Sequence, residues 1–425
     1  MGPVAALSAL GDRTFGSLRR HRNYRLFFAG SGISFIGTWM QQIAAYWLIL
    51  ELTNSPVAVG ALALVQTLPV TLFALVGGSI ADRVDLRKMV IACETTMGIQ
   101  AALLCFLALS GVIAPWQLYV LGLAQGVAVA LNAPARHTLV FQIVGRDDLT
   151  NAIALSASLG TTARILGPAA GGIVVAAFGP GVAFGLNAVS YAIVIAAILA
   201  IRLAPRPQRT APLPGILGSV GQTFRYAVST RRVAVTFFTL ILVSTFSFNF
   251  DVLLPLVARL TLDSGAQTFG LIASVFGAGA LTGSLVLATV GRTRMLLVLV
   301  GALGFGALQL LLARQDSLPA VCGLLYLIGI FYIIWGSSSL ATLQLAAPEH
   351  LRGRAASLYF FGFMGGAPLG GLIAGSLTAH GGTRLAFTVA GAMAILIAGV
   401  GSIVLLLGRS ARARRPRTAR ESAGV

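Results

Sequence analysis

GGSIADRVDLRK, residues 77–88, is a compact charged stretch between two long apolar segments. It holds two of the chain's twelve acidic residues and three of its thirty basic residues, although only 10% of the 425 residues are charged. Ionised side chains are costly inside the hydrocarbon of a bilayer, so such a cluster has to lie at a membrane face. The stretch therefore predicts a short turn between two membrane-spanning helices.

The composition of the whole chain excludes an ordinary soluble domain. Hydrophobic residues make up 57% of the sequence, which is more than soluble proteins contain, and soluble proteins also carry far more charge. The apolar residues come in runs that match the ~20 residues needed to cross a bilayer as a helix. We expect an all-α membrane protein with twelve transmembrane helices, at residues 24–52, 57–81, 88–110, 116–135, 151–177, 181–202, 233–257, 268–290, 295–313, 319–344, 355–378 and 385–408.

The distribution of basic residues predicts how the chain is oriented. With the N-terminus inside, 26 of the thirty bases lie on the cytoplasmic side, as the positive-inside rule requires. Three lie outside, at Arg259, Arg314 and Arg384, and the remaining one, Arg164, lies within a span. Both termini are therefore expected in the cytoplasm, and the positive-inside rule accounts for the net charge of +18. The basic tail at residues 409–420 is expected to be solvated or to face anionic lipids rather than to contact nucleic acid.

A proline-rich break separates the predicted spans into two sets of six. Pro168 and Gly171 of the fifth span recur 200 residues later as Pro368 and Gly371, and a parallel repeat of this kind is typical of secondary transporters. We expect a cytoplasmic N-terminal segment (1–23), an N-terminal six-helix bundle (24–202), a cytoplasmic linker (203–232), a C-terminal six-helix bundle (233–408) and a basic cytoplasmic tail (409–425).

Several motifs resemble those of a known family. Gly78-x-x-x-Asp82-Arg83-x-x-x-Arg87-Lys88 resembles the signature loop between the second and third helices of major facilitator superfamily transporters, and GPAAGG at 167–172 resembles an element that drug antiporters carry in the fifth helix. Three further stretches are similar to the branch with the enterobactin exporter, macrolide efflux pumps and transmembrane secretion effectors; they are SFIGTWMQQIAAYWLILELTNSPVAVGAL (34–62), NAPARH (132–137) and LTNAIALSASLGTTARILGPAAGG (149–172).

The chain also departs from the pattern of that family. Asp85 stands where the signature loop usually has glycine, and Gly122 stands where many proton antiporters have arginine in the fourth helix, although Gln125 and Gly126 remain. This removes the usual argument for proton coupling through the fourth helix. The related loop after the eighth span is reduced to GRTR, residues 291–294.

The signature loop, which includes Gly78, is expected to form an inner gate. Asp82 can accept hydrogen bonds from the start of the eleventh helix, because free N–H groups and the helix dipole favour an anion there. Arg83, Arg87 and Lys88 can pair with acids or lipid phosphates when the inner side closes. The alternative is that these bases only anchor the topology.

Four ionisable residues fall within or at the ends of spans. Glu51 is expected to be solvated at the outer end of the first span, and Glu94 to pair with a nearby base or to reach the interface. Asp251 lies deeper, and intramembrane carboxylates are by default functional, so it is a candidate for proton coupling or cation recognition, with an outer-gate hydrogen bond as the alternative. Arg164 faces either a central cavity or a neighbouring carboxylate.

Glycine and polar residues inside the spans complete the set of candidates. The fifth-helix motif, with Arg164, Gly167, Pro168, Gly171 and Gly172, suits close helix packing and a bendable point. Polar or amphipathic residues within spans either line a cavity or hold helices together; they are Trp39, Gln41, Gln42, Tyr46, Gln66, Gln125, Asn187, Asn249 and Trp335.

The resemblance implies a secondary active exporter of a small amphipathic molecule in a bacterial cytoplasmic membrane, monomeric, and driven by a proton gradient. An importer or a lipid flippase of the same fold is the main alternative, and a non-transporting accessory protein a remote one. No enzyme is indicated, because a P-loop needs Gly-Lys before Ser or Thr and the only lysine is Lys88. The four histidines are expected in loops or tails without metal-ligand spacing, so no metal or other cofactor is expected.

Overall fold

The structure, a computed structural model, describes residues 15–73, 84–201, 225–228, 230–290, 295–347 and 352–413. Its regular elements in this part of the chain are all helical. They are α1 (Gly16–Arg20), α2 (Arg22–Thr53), α3 (Pro56–Phe73), α4 (Leu86–Leu109), α5 (Pro115–Val144), α6 (Leu149–Phe178), α7 (Pro180–Ala200), α8 (Arg231–Ser247), α9 (Phe250–Leu256) with a π-helical turn (Val257–Thr261), α10 (Ala266–Val290), α11 (Met295–Leu312), α12 (Leu318–Ala346), α13 (Arg352–Met364) and α14 (Ala367–Ala413).

Within the described residues, 11 helical stretches are long and apolar enough to cross a membrane. The last of these, Ala355–Leu407, has 53 residues, more than twice the ~20 needed for one crossing. Its helical backbone is interrupted at Gly381 and Gly382, and Gly382 has a φ of 69°, which glycine adopts readily because it has no Cβ. The two predicted spans at 355–378 and 385–408 lie on either side of this interruption.

The fourth span is longer than predicted. The prediction ended it at 135, but α5 continues to Val144 with Pro134 inside the helix. A proline is tolerated within a membrane helix when neighbouring groups satisfy the freed backbone. Arg136 and His137 consequently lie on a membrane helix, so the predictions that Arg164 is the only base in a span and that His137 lies in a loop are wrong.

The seventh span is broken where the sequence predicted a continuous helix. α8 ends at Ser247 and α9 begins at Phe250. Polar side chains at the break bond to carbonyl groups: Ser247 Oγ donates to the carbonyl of Ala390 at 2.6 Å, and Asn249 Nδ2 donates to that of Thr245 at 2.9 Å. The Asn249 bond replaces a lost helical one, whereas the Ser247 bond joins the break to α14. The break places Asp251 in the first turn of α9.

The start of α4 is fixed by two residues of the charged stretch. The Asp85 side chain accepts a hydrogen bond from the backbone N–H of Lys88 and caps the helix. Arg87 donates to the carbonyls of Ile198 and Leu199 at 3.2 and 2.6 Å, at the C-terminus of α7, where a cation is favoured by the helix dipole. Among the residues that the structure describes, the partners of Arg87 are therefore backbone carbonyls.

The rest of that motif, Gly78, Asp82 and Arg83, lies outside the described residues, so its role as an inner gate stays a prediction.

The helices pack in two groups. The groups are α2 to α7 and α8 to α14, and most helices contact chiefly members of their own group. The main contacts between the groups are α6 with α10 and α3 with α14, and α3 contacts the second group at least as much as its own. We call the end where α2 meets α3 the Thr53 end and the opposite end, where α4 begins, the Leu86 end. Near the Thr53 end, Gly172 of α6 lies against Gly270 of α10, where a Cβ on Gly172 would be 2.9 Å from the Gly270 Cα.

Glycines also let helices of one group touch. A Cβ added to Gly279 of α10 would lie 2.8 Å from the carbonyl carbon of Tyr326 on α12, and one added to Gly329 would lie 2.8 Å from the backbone nitrogen of Ala280. The two backbones thus meet directly, as small residues allow in membranes, where close contact supplies the dispersion energy that the hydrophobic effect does not.

We predict that Gly279→Ala destabilises the fold, because the added methyl group meets backbone atoms that cannot move aside. Overpacking of this kind costs about 1–3 kcal/mol. The midpoint of thermal unfolding in detergent should fall by several degrees. Gly323→Ala is the matched control on α12, since nothing lies within 4 Å of a Cβ there. Equal midpoints for the two variants would contradict the prediction.

Candidate functional site

A cavity lies where α2, α6, α9 and α10 converge, with about 400 Å³ of free space when the open solvent at its mouth is included. Helices of both groups therefore contribute to one site. Its walls are mostly apolar with a few polar groups, as is common in sites for small organic molecules. The lining residues are Trp39, Gln42, Ile43, Tyr46, Arg164, Pro168, Phe250, Asp251, Leu254, Phe269, Ala273 and Phe276.

Asp251 and Arg164 bring opposite charges to this cavity without forming an ion pair. The side chain of Asp251 is exposed to the cavity, and no hydrogen bond or ion pair joins it to any residue that the structure describes. No nitrogen of Arg164 lies within 4.0 Å of its carboxylate, the limit for an ion pair. Both groups are thus left with bonding capacity for a bound molecule.

Aromatic rings hold the guanidinium of Arg164. Its Cζ atom lies 5.3 Å from the ring centre of Trp39, 5.8 Å from that of Phe276 and 5.5 Å from that of Tyr332. Arg164 also donates a long hydrogen bond, 3.4 Å, to the Tyr332 hydroxyl, and Tyr332 stacks on Phe248 at 4.6 Å. Cation–π contacts are strongest where water is excluded, so these rings stabilise the charge in the absence of a carboxylate partner.

The glycines of the fifth-helix motif position these groups. A Cβ on Gly167 would lie 3.0 Å from the carbonyl oxygen of Ile36, and one on Gly171 would lie 3.1 Å from Met40. α6 therefore packs directly on α2, on the turns that flank Trp39. Pro168 lies between these glycines inside α6 and lines the cavity.

Several predicted cavity residues hold helices together instead. Gln41 Nε2 donates to the side-chain oxygens of Gln100 at 3.0 Å and Gln125 at 3.3 Å, and Asn187 Nδ2 donates to Gln41 Oε1 at 2.8 Å. These four side chains come from α2, α4, α5 and α7. Their mutual bonds satisfy the polar groups, so Gln41, Gln125 and Asn187 stabilise the packing of this group of helices.

Gln66, Asn249 and Trp335 also lie away from the cavity. Gln66 packs on α5, where a Cβ added to Gly122 would meet the Gln66 side chain at 3.2 Å, so a larger residue at 122 would need Gln66 to move. Asn249 bonds to the backbone at the break before α9. Trp335 is completely buried, with its ring 6.0 Å from those of Phe305 and Phe363.

Glu94 belongs to a second buried charged site. It is completely buried on α4 and pairs with Arg136 of α5, with Nη1 and Oε1 2.5 Å apart. Sequence reasoning missed Arg136 because it placed the residue beyond the end of the fourth span. The spacing of Asn132 and Arg136, four residues apart and so on one helix face, is the signal that would have found it. Glu51, by contrast, is exposed and accepts a hydrogen bond from Trp47 Nε1.

Tyr332, Phe248 and Phe276 were also missed, because aromatic residues on membrane helices give no local sign of which will face a charge.

Membrane helices in two groups that share a cavity are the arrangement of a membrane transporter, and the matching family model places this transporter in the major facilitator superfamily. The chain belongs to the family described as transmembrane secretion effector, whose model matches residues 13–419.

Known relatives and solved structures agree with this assignment. The chain is 27% identical to the enterobactin exporter EntS of Citrobacter koseri over 94% of this chain and 95% of the relative. It is 24% identical to the multidrug efflux pump Tap of Mycolicibacterium fortuitum over 89% of this chain and 92% of that relative. It is 23% identical to the staphyloferrin A transporter of Staphylococcus aureus over 62% of this chain and 66% of that relative. A POT family transporter in complex with 5-aminolevulinic acid has the same fold, with a TM-score of 0.73 and 13% identity over 90% of this chain and 96% of that one.

Proposed function

We propose that this protein is a secondary active transporter that exports a small amphipathic molecule across the bacterial cytoplasmic membrane by alternating access, driven by proton antiport. The observation that carries the proposal is the pair of unbonded opposite charges, Asp251 and Arg164, that face one cavity from different groups of helices. A ligand that bonds to both Asp251 and Arg164 would bring the two groups of helices together. Such a ligand therefore favours a change in the relative position of these two groups of helices, which alternating access requires.

We further propose that the chain forms twelve spans in two six-helix bundles, 24–202 and 233–408, with both termini in the cytoplasm. The interruption at Gly381 and Gly382 supports two spans in the last helical stretch, and the pattern of helix contacts supports two bundles. The positive-inside rule supports the orientation and makes the Leu86 end cytoplasmic. The close glycine contacts at the Thr53 end then correspond to a state that is closed toward the outside.

The cavity favours a cargo that carries both an apolar body and polar groups. Trp39, Phe276 and Phe269 offer apolar area, whereas Asp251 and Arg164 offer one charge of each sign. A polyanion would call for several bases, and one arginine lines this cavity among the described residues. Relatives named as exporters of drugs and of enterobactin support an amphipathic cargo and an outward direction. We expect the transporter to act as a monomer among membrane lipids, without a bound cofactor.

Transport into inside-out membrane vesicles tests the direction and the energy source together. The panel contains tetracycline as a zwitterion, ethidium as a cation, and enterobactin and staphyloferrin A as siderophores. We expect at least one compound to accumulate when the vesicle interior is acidified, and a protonophore to abolish its accumulation. Vesicles with the Asp251→Asn variant are the matched control. Accumulation only in right-side-out vesicles would show an importer, and accumulation that persists with the protonophore would exclude proton antiport.

A further inference from the structure

The two charges of the cavity lie at different depths. α2 lines the cavity with one face, from Trp39 to Tyr46 two turns later. An α-helix rises 1.5 Å per residue, so Tyr46 lies about 10 Å nearer the Thr53 end than Trp39. Arg164 contacts the Trp39 ring, whereas Asp251 interacts electrostatically with Tyr46 as well as with Arg164. The carboxylate of Asp251 is therefore nearer the Thr53 end than the guanidinium of Arg164.

Two other helices place the positive charge at the same depth. α10 begins at Ala266 near the Thr53 end, and its cavity residues Phe269 and Phe276 are about 10 Å apart along the helix. The Arg164 guanidinium lies over Phe276, the ring nearer the Leu86 end, with 5.8 Å from its Cζ atom to the ring centre. On α6, Arg164 precedes Pro168, which lines the cavity one turn closer to the Thr53 end. The cavity is therefore positive toward the Leu86 end and negative toward the Thr53 end.

Arg164 can bind an anion without leaving its aromatic rings. The rings of Trp39, Phe276 and Tyr332 lie near the central carbon of its guanidinium, and such cation–π contacts use no N–H donor. A guanidinium has five N–H donors in a planar fork that suits a carboxylate. Within the described part of the chain, the hydrogen bond from Arg164 to the Tyr332 hydroxyl is long, at 3.4 Å. Arg164 therefore keeps donors for a carboxylate of the cargo.

The cavity wall is neutral overall. Among the described residues that line it, Asp251 and Arg164 are the charged ones, and most of the others are apolar. A cargo with a single positive charge would leave Arg164 unbalanced, and a cargo with a single negative charge would leave Asp251 unbalanced. Unbalanced charge is costly where water is excluded. A zwitterion adds no net charge and gains a charge-assisted bond at each protein group, so the wall favours a zwitterion over either singly charged molecule.

Apolar side chains occupy most of the remaining wall. They come from all four helices and include rings that can pack on a flat body; they are Trp39, Ile43, Pro168, Phe250, Leu254, Phe269, Ala273 and Phe276. Gln42 and Tyr46 add polar groups without charge. The wall therefore suits a molecule whose body is apolar and whose charges are confined to its ends.

We propose that the cargo is a zwitterion with an ammonium group and a carboxylate group at opposite ends of an aromatic body, and that it binds in one orientation. The ammonium group bonds to Asp251, toward the Thr53 end, and the carboxylate group bonds to Arg164, toward the Leu86 end. The reverse orientation would place like charges together. The proposal rests on the proposed function, since it names the class of molecule that this cavity exports.

Calorimetric binding to the purified full-length protein in detergent tests the charge requirement without a proton gradient. The zwitterionic probe is a biphenyl with a para-aminomethyl group on one ring and a para-carboxyl group on the other. The ammonium-only probe lacks the carboxyl group, and the carboxylate-only probe lacks the aminomethyl group, so the aromatic body is constant. We expect the zwitterion to bind about tenfold or more tightly than either, because each singly charged probe loses one charge-assisted bond. A singly charged probe that binds as tightly, or a zwitterion that does not bind, would overturn the proposal.

Two variants then assign the ends of the probe. In Asp251→Asn the zwitterion should lose its advantage over the carboxylate-only probe and keep its advantage over the ammonium-only probe. Arg164→Gln should give the converse pattern. Equal weakening of all three probes would show a structural role and refute the assignment, as would unchanged ratios of their affinities. Asp251→Asn preserves the shape of the side chain, so it decides the ammonium end even if Arg164→Gln does not fold.

Two further variants control for the place of binding. Ala273→Trp fills part of the cavity and should abolish binding of all three probes, which separates the site from partition into detergent. Glu51→Gln removes an exposed acid at the end of α2 and should leave the three affinities unchanged. Binding that survives in Ala273→Trp would place the probes elsewhere and contradict the proposal.

The two proposals fail separately. If the protein proves to be an importer or is not driven by protons, the affinities of the three probes still report which charges the cavity requires. If vesicles accumulate a compound of the panel but the zwitterionic probe has no advantage, the exporter proposal stands and the zwitterion proposal is excluded.

Discussion

Replacement of Asp251 by Asn is expected to lower the initial rate of transport by about tenfold or more, because a charge-assisted hydrogen bond contributes about 1.5–3 kcal/mol and each 1.4 kcal/mol is a factor of ten. The carboxylate is free of partners in the described residues, so its loss leaves no protein group unpaired. Protein abundance and thermal stability should therefore remain close to those of the unaltered chain. Asp316→Asn is the control, since Asp316 is an exposed acid paired with Arg384.

The combination with Arg164→Gln distinguishes a binding role from a structural ion pair. If Asp251 and Arg164 neutralised each other, removal of both charges would restore part of the activity lost in either single variant. Because the two groups are not in ion-pair contact, we expect no such recovery. The double variant should transport no faster than the slower single variant. A double variant that recovers activity would show that the pair serves the packing of α6 against α9 rather than the cargo.

Replacement of Gly270 by Leu is expected to slow transport strongly and to hold the Thr53 end open. A Cβ at this position would lie 2.7 Å from the Gly172 Cα and 3.0 Å from its nitrogen, so a leucine has no space while α6 and α10 are in contact. The contact joins the two groups of helices rather than helices of one group. The variant should therefore fold but be unable to close at this end. If the leucine raises the free energy of closure by more than about 1.4 kcal/mol, the transport rate should fall at least about tenfold.

Labelling of a cysteine in the cavity measures this change directly. In a background without Cys93, Cys105 and Cys322, the substitution Gln42→Cys places a thiol in the cavity wall. We expect a membrane-impermeant maleimide added outside to label it faster in Gly270→Leu than in the parent. Gly323→Leu serves as the control, because open space surrounds that glycine. Equal labelling rates would contradict a role of the Gly172–Gly270 contact in closing the outer side.

The spans were predictable from sequence because their signal is local. A run of apolar residues has to be long enough to cross the bilayer whichever neighbours it has, and most predicted bounds lie within two or three residues of the observed helices. One error occurs where a proline lies inside a continuous helix, and another where a helix breaks without a glycine or proline. The fourth span was predicted to end at residue 135, although α5 continues through Pro134 to Val144. The seventh span contains a break at Phe248 that no glycine or proline marks.

The candidate sites were predictable only in part. The rarity of ionised residues within spans singled out Glu94, Asp251 and Arg164, because the cost of burying a charge makes each of them significant. Their partners were not predictable. Arg136 follows Glu94 by 42 residues, and Tyr332 follows Arg164 by 168. Gln41 and Gln42 are adjacent in the sequence, yet one is buried in a network of amides and the other lines the cavity.

The sequence by itself determined that this protein is an all-helical membrane protein, and its motifs pointed to the superfamily. These conclusions rest on composition and on the spacing of charges, which the bilayer constrains one segment at a time. Only the tertiary structure decided that Arg164 lies among aromatic rings, that Asp251 faces it without an ion pair, and that Glu94 is bonded on one side by Arg136. The physical reason is that each of these sites is formed by helix faces distant in sequence, and small residues such as Gly167 and Gly171 set how closely those faces meet.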